Sequence, residues 1–91
     1  MNKEALTIAV QAALAGDWET SHNIAQDYSD DLNNANIANW IHAVLHKMEG
    51  DVWNSKYWYA RTGIDGVGGK KYENFNDVNA ELTTILQQLN S

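Results

Sequence analysis

Three histidines and a glutamate are the side chains of this sequence whose types and spacing could do chemistry. His42 and His46 are four residues apart, and Glu49 follows three residues later. If this segment is a helix, the three side chains lie on one face, because residues three and four apart are neighbours on a helix surface. Two imidazoles and a carboxylate could form part of a zinc or iron site, with His22 as a further ligand. The segment lacks the glutamate beside the first histidine of a zinc-protease helix, so we assign no metal ligand, no cofactor and no catalytic residue from the sequence.

A second set of side chains that could bind a ligand is Trp53, Tyr57 and Arg61, which share a stripe at helical spacing. Two aromatic rings with one cation suit an acidic or planar ligand. The run from Tyr57 to Tyr59 is wholly aromatic, and consecutive helix residues point about 100° apart. Three such rings cannot all face one core, so at least one of them contacts a neighbouring helix, a ligand or a partner.

The elements that must position these residues are helices. Apolar residues recur at spacings of three and four through most of the chain, and proline, which interrupts helices, is absent. Glycine-aspartate pairs at 16–17 and 50–51 end one helix and begin the next. The pattern predicts an all-α chain with five helices, at about residues 3–15, 18–28, 35–49, 52–62 and 77–89.

Composition narrows the classes of partner and location. The 91 residues include 12 acidic and 6 basic side chains, a formal net charge of −6. A surface of this sign repels phosphate backbones, which argues against a nucleic-acid partner. The chain has no cysteine, which fits the cytoplasm, and no run of about 18 apolar residues, so we expect neither secretion nor a membrane span.

The two glycine-aspartate turns belong to an internal repeat with an offset of 34 residues. Each turn is followed at the same distance by a small residue that lets two helices approach. The aligned segments are Ala15-Gly16-Asp17-Trp18 with Glu49-Gly50-Asp51-Val52, and Ser21 with Ser55.

This repeat resembles the tetratricopeptide repeat, a helical hairpin of 34 residues. The resemblance covers about residues 2–67 and implies two antiparallel hairpins, 3–28 and 35–62, in a right-handed array. A loop at 63–74 and a C-terminal capping helix at 75–90 would complete one domain spanning residues 1–91. In this register His42 and His46 face the partner helix, toward Ser55 and Tyr59, as hydrogen-bonded packing residues.

The middle of the chain, about residues 16–63, also resembles short bacterial proteins to which no activity is assigned. This second resemblance implies no particular chemistry. The shared motifs are Gly16-Asp17-Trp18 with His22, Trp40-Ile41-His42-Ala43 with His46, Glu49-Gly50-Asp51, and Tyr57-Trp58-Tyr59.

Two functions from different classes fit the sequence. The first is a small cytoplasmic helical-repeat module that binds a protein or peptide, as the tetratricopeptide resemblance implies. The second is a small ligand-binding or enzymatic domain in which the three histidines and Glu49 converge on a pocket with aromatic walls. A metal ion is one of the ligands that such a pocket could hold. Burial of the histidines against the partner helix favours the module, and their convergence in an exposed cleft favours the pocket. The sequence indicates no particular oligomeric state.

Overall fold

Five α-helices and one 3₁₀ turn make up the computed structural model, which describes residues 3–32, 34–62 and 69–90. No strand occurs in these ranges, so the prediction of an all-α fold with five helices is confirmed. The helices are α1 (Lys3–Leu14), α2 (Trp18–Asp27), α3 (Ala35–Met48), α4 (Val52–Tyr59) and α5 (Val78–Leu89), and the 3₁₀ turn is Gly69–Tyr72.

The first four helices pack in chain order. Helix α1 packs against α2, α2 against α3, and α3 against α4. This order is the one expected for two hairpins that lie side by side, while the right-handed sense of a tetratricopeptide array stays a prediction. None of the described helices has both the length and the apolar character needed to cross a bilayer.

The two hairpin turns share one backbone structure. Gly16 and Gly50 have positive φ values of 85° and 83°, which glycine adopts without the steric cost that a Cβ would bring. In both turns the N–H of the following residue donates to a carbonyl five residues back, at 2.8 and 2.9 Å. These bonds satisfy carbonyl groups at the end of the first helix.

The aspartates of both turns then cap the next helix. The Asp17 carboxylate accepts the backbone N–H of Thr20 at 3.3 Å, and the Asp51 carboxylate accepts that of Asn54 at 3.2 Å. Such a bond satisfies an N–H that has no partner within the helix. The helix starts predicted at these two turns are therefore confirmed.

Helix α3 lies at the centre of the fold and contacts all four other α-helices. The sequence predicts one apolar stripe on α3, but its neighbours cover most of its circumference. The residues of this stripe, at spacings of three and four, are Ile37, Trp40, Ile41, Val44, Leu45 and Met48. His42, which lies off the centre of the apolar stripe, is consequently inside the protein. The buried residues of α3 are Ala38, Asn39, Trp40, Ile41, His42, Ala43, Val44 and Leu45.

Helix α5 packs against α1 and α3, the first helices of the two hairpins. It buries Leu82, Ile85 and Leu89, which share one helix face because they are three and four residues apart. Asp77, predicted as the first helical residue, instead caps α5 by accepting the N–H of Ala80 at 3.0 Å. The side of the molecule formed by α1 and α3 is therefore covered by the chain's own last helix.

The end of α4 and the following segment differ from the prediction. Helix α4 ends at Tyr59 rather than at residue 62, because the N–H groups of Arg61 and Thr62 donate to carbonyls three residues back, at 3.0 and 3.2 Å. Of the predicted loop, residues 63–68 lie outside the described residues. Gly69 begins a 3₁₀ turn and is buried; a Cβ there would lie 3.0 Å from the side chains of Thr62 and Trp40, so a larger residue would require these side chains to shift.

Candidate functional site

The three histidines converge between α2 and α3. His22 comes from α2, and His42 and His46 lie one turn apart on α3. The ring centroid of His22 is 4.5 Å from that of His42 and 5.5 Å from that of His46. The His42 and His46 centroids are 4.9 Å apart. One nitrogen from each ring lies within 4.8 Å of the other two, and we call these three residues the histidine cluster.

Two tryptophans enclose the histidine cluster. Trp18 stacks on His22 with 4.5 Å between ring centroids, and Trp58 stacks on His42 at 3.9 Å. Trp18 Nε1 also donates to the carbonyl of Leu45 at 2.8 Å, which holds α2 against α3. The indoles fix the orientation of two imidazoles and provide apolar walls. Sequence reasoning did not assign them to the site, although Trp18 lies four residues before His22, at helical-neighbour spacing.

Glu49, the residue after α3, binds His46 at the outer edge of the cluster. Its Oε2 lies 2.6 Å from Nδ1 of His46. Because a carboxylate accepts and does not donate, Nδ1 carries a proton, and in the neutral ring Nε2 is then an acceptor. The Glu49 side chain is 42% exposed and that of His46 is 12% exposed. The structure thus brings together all four residues proposed for the pocket.

His42 is the buried member of the cluster, with an exposed fraction of 3%. Its Nδ1 has no hydrogen-bond partner among the described residues. Burial, and then the charges that His22 and His46 would carry, lower the pKa of His42 to about 3. Burial also lowers the pKa of His22. His42 therefore packs against α4, as the tetratricopeptide register implies, but it does so as a neutral imidazole whose Nδ1 has no hydrogen-bond partner.

The aromatic run on α4 points into three different surroundings. Tyr59 is fully buried, Trp58 lies on His42, and Tyr57 is 44% exposed. This divergence agrees with the expectation that three consecutive rings cannot share one core.

The second predicted set of ligand-binding residues lies on the exposed side of α4. Trp53 is 73% exposed and stacks on Tyr57 with 5.9 Å between ring centroids. The guanidinium carbon of Arg61 is 5.6 Å from the centroids of both Tyr57 and Trp58. We call Trp53, Tyr57 and Arg61 the aromatic stripe; the structure keeps it on the surface and does not merge it with the histidine cluster.

A cleft of about 240 Å³ opens elsewhere, between the start of α4 and the segment after the 3₁₀ turn. Lys47, Ser55, Lys56 and Glu73 are among the residues that line it, and no histidine does. The histidine rings instead pack with centroids 4.5 to 5.5 Å apart. This spacing suits an ion between their nitrogens rather than an organic molecule.

A polar network that sequence reasoning missed surrounds Glu81 on α5, whose side chain is fully buried. Its Oε2 accepts Nε1–H of Trp40 at 2.8 Å and the hydroxyl of Tyr59 at 2.5 Å, while Oε1 accepts Lys47 at 2.7 Å. Burial and the carboxylate raise the pKa of Tyr59, so its hydroxyl remains a donor. The available signal was an acidic residue four positions before Ile85, on the apolar face of α5.

The chain matches no protein-family model, no curated protein and no solved structure. The resemblances to the tetratricopeptide repeat and to short bacterial proteins therefore stay predictions. The geometry of the described side chains is what bears on function.

Proposed function

We propose that this protein binds a divalent transition-metal ion of the zinc class through His22, His42 and His46. The observation that carries the proposal is that one nitrogen from each ring lies within 4.8 Å of the other two. Zinc–nitrogen bonds of about 2.0–2.1 Å place the nitrogens of a tetrahedral site about 3.3 Å apart. The widest pair has to approach by about 1.5 Å or less, which small side-chain rotations accomplish.

The buried nitrogen of His42 supports a bound ion at this position. A buried polar atom without a partner costs about 1–3 kcal/mol, and coordination through Nδ1 of His42 would supply the partner that this atom lacks. Because the pKa of His42 is lowered to about 3, the ring already has the neutral form that a metal requires.

The contact between Glu49 and His46 supports the same proposal. Metal-binding histidines commonly donate their second ring N–H to a carboxylate, which fixes the tautomer and the orientation of the ring. The distance of 2.6 Å between Glu49 Oε2 and His46 Nδ1 is of this kind.

Zinc or nickel is expected to raise the melting temperature of metal-free protein. At a free metal concentration of 100 times the dissociation constant, a ligand bound only by the folded state adds about 2.7 kcal/mol to the free energy of unfolding. Thermal unfolding followed by circular dichroism, with and without metal, measures this effect.

The variants His42→Ala with His46→Ala and, separately, His22→Gln are expected to remove the metal-dependent shift. His22 is only half-buried, so the His22→Gln protein is expected to stay folded. It therefore tests metal binding even if the double variant is destabilised. Gln87→Ala, an exposed change on α5, is the control and should keep the shift. A melting temperature unaffected by metal, together with a loss of about 1–3 kcal/mol in the double variant, would instead make the histidines packing residues.

A second candidate function, binding of an acidic protein segment, is favoured by the aromatic stripe. Trp53 is the most exposed aromatic side chain of the described residues, at 73%, and Arg61 offers a cation beside it. Lys56, also exposed, adds a second cation to the same side of α4. Large aromatic residues with arginine are typical of binding surfaces. This candidate function includes three expectations from the sequence: a protein partner, a cytoplasmic location and the role of a repeat module.

Photo-crosslinking from position 53 in living cells tests this second candidate. A photoreactive residue there is expected to capture one defined acidic protein, and Arg61→Glu should reduce the captured amount at least several-fold. The same residue at position 87 on α5 is the control. Equal capture from positions 53 and 87 would contradict a specific surface on α4.

A further inference from the structure

We propose that a metal ion held by the histidine cluster keeps one coordination position open, which is taken by water or by an exchangeable small anion such as a carboxylate. This inference rests on the metal-binding function proposed above. It concerns what the bound ion can do, because a site with four protein ligands is structural, whereas three ligands and an open position are typical of a site that binds exogenous molecules.

The protein ligands available to the metal ion are few. The described residues provide three converging imidazole nitrogens and two nearby carboxylates, Glu49 and Asp51. Glu49 is held on His46 Nδ1 at 2.6 Å. Asp51 accepts the side-chain amide of Asn54 at 2.6 Å as well as its backbone N–H at 3.2 Å. Both carboxylates therefore have other hydrogen-bonding roles, and the nitrogens that converge on one point are those of the three histidines.

The residues that enclose the histidine cluster add no further ligand. Trp18 and Trp58 cover the faces of His22 and His42, and neither indole can coordinate a zinc-class ion, since its nitrogen carries a proton and donates. The cluster is buried at His42, half-buried at His22 and exposed at Glu49. On this inference a small molecule approaches the ion from the side of His22 and Glu49, where the cluster is least buried.

Cobalt(II) in place of zinc, with azide as the probe anion, tests the open position. Cobalt bound by the cluster is expected to give visible absorption bands, and azide should shift these bands in a saturable way. If cobalt does not bind, the metal-binding function itself is wrong. If cobalt binds and azide leaves the spectrum unchanged, the metal site stands and the open position is wrong.

The variant Glu49→Gln separates a positioning role from coordination. As a positioning residue, Glu49 is expected to strengthen cobalt binding about 10- to 100-fold while the azide response is the same in the variant and the parent. A spectrum in which azide acts only on the variant would identify Glu49 as the fourth ligand and overturn the inference. Gln87→Ala is the control and should match the parent in both cobalt affinity and azide response.

Discussion

Replacing Glu81 with leucine is expected to lower the free energy of unfolding by about 3–5 kcal/mol, the range found when one partner of a buried ion pair is removed. The change leaves three donors facing an apolar side chain, those of Trp40, Tyr59 and Lys47. Lys47 keeps bonds to two backbone carbonyls, at 2.7 and 3.0 Å, but loses the carboxylate that balances its charge. Small domains are stable by only about 5–15 kcal/mol, so this loss is a large fraction of the total free energy of unfolding. Urea unfolding of the parent and the variant measures the loss.

Two further variants keep this prediction testable if Glu81→Leu does not fold. Tyr59→Phe removes one hydrogen bond to a charged group and is expected to cost about 1.5–3 kcal/mol. Gln87→Ala lies on the exposed side of the same helix and should change stability by less than about 0.5 kcal/mol. A Glu81→Leu protein as stable as the Gln87→Ala protein would show that the network contributes nothing.

Acidification is expected to destabilise the metal-free protein well before its carboxylates are fully protonated. The folded state holds the pKa of His42 at about 3, whereas the unfolded chain has the usual value near 6.5. Below pH 6.5 His42 becomes protonated in the unfolded state but stays unprotonated in the folded state. The free energy of unfolding therefore falls as the pH falls, and this loss ends near pH 3. Between pH 7 and pH 4 this difference amounts to about 3 kcal/mol. The lowered pKa of His22 acts in the same direction.

The variant His42→Gln isolates this contribution from that of the acidic residues. Urea unfolding of parent and variant, both with a chelator present, gives the free energy of unfolding between pH 7 and pH 4. The parent should lose about 3 kcal/mol more than the variant over this interval. Parallel pH profiles would mean that His42 accepts a proton while the protein is folded.

The helix pattern could be predicted closely because its signals are local. Gly16 and Gly50 end the two helices at the predicted turns with positive φ angles, and the aspartate after each caps the next helix. The spacing of His42 and His46 likewise required only one turn of helix. The end of α4 was placed three residues too late, since the tighter hydrogen bonding near Thr62 leaves no clear mark in the amino-acid pattern.

The sequence by itself determined the five helices, the two repeated turns and the pair of histidines on α3, because each depends on residues within a turn or two of one another. Only the tertiary structure decided that His22 completes the cluster, that Trp58 stacks on His42, and that Glu81 is buried among three donors. Several of these contacts join residues 22 to 41 positions apart. Their proximity depends on how the helices pack against α3, and burial by those neighbours is also what leaves His42 neutral and without a partner at Nδ1.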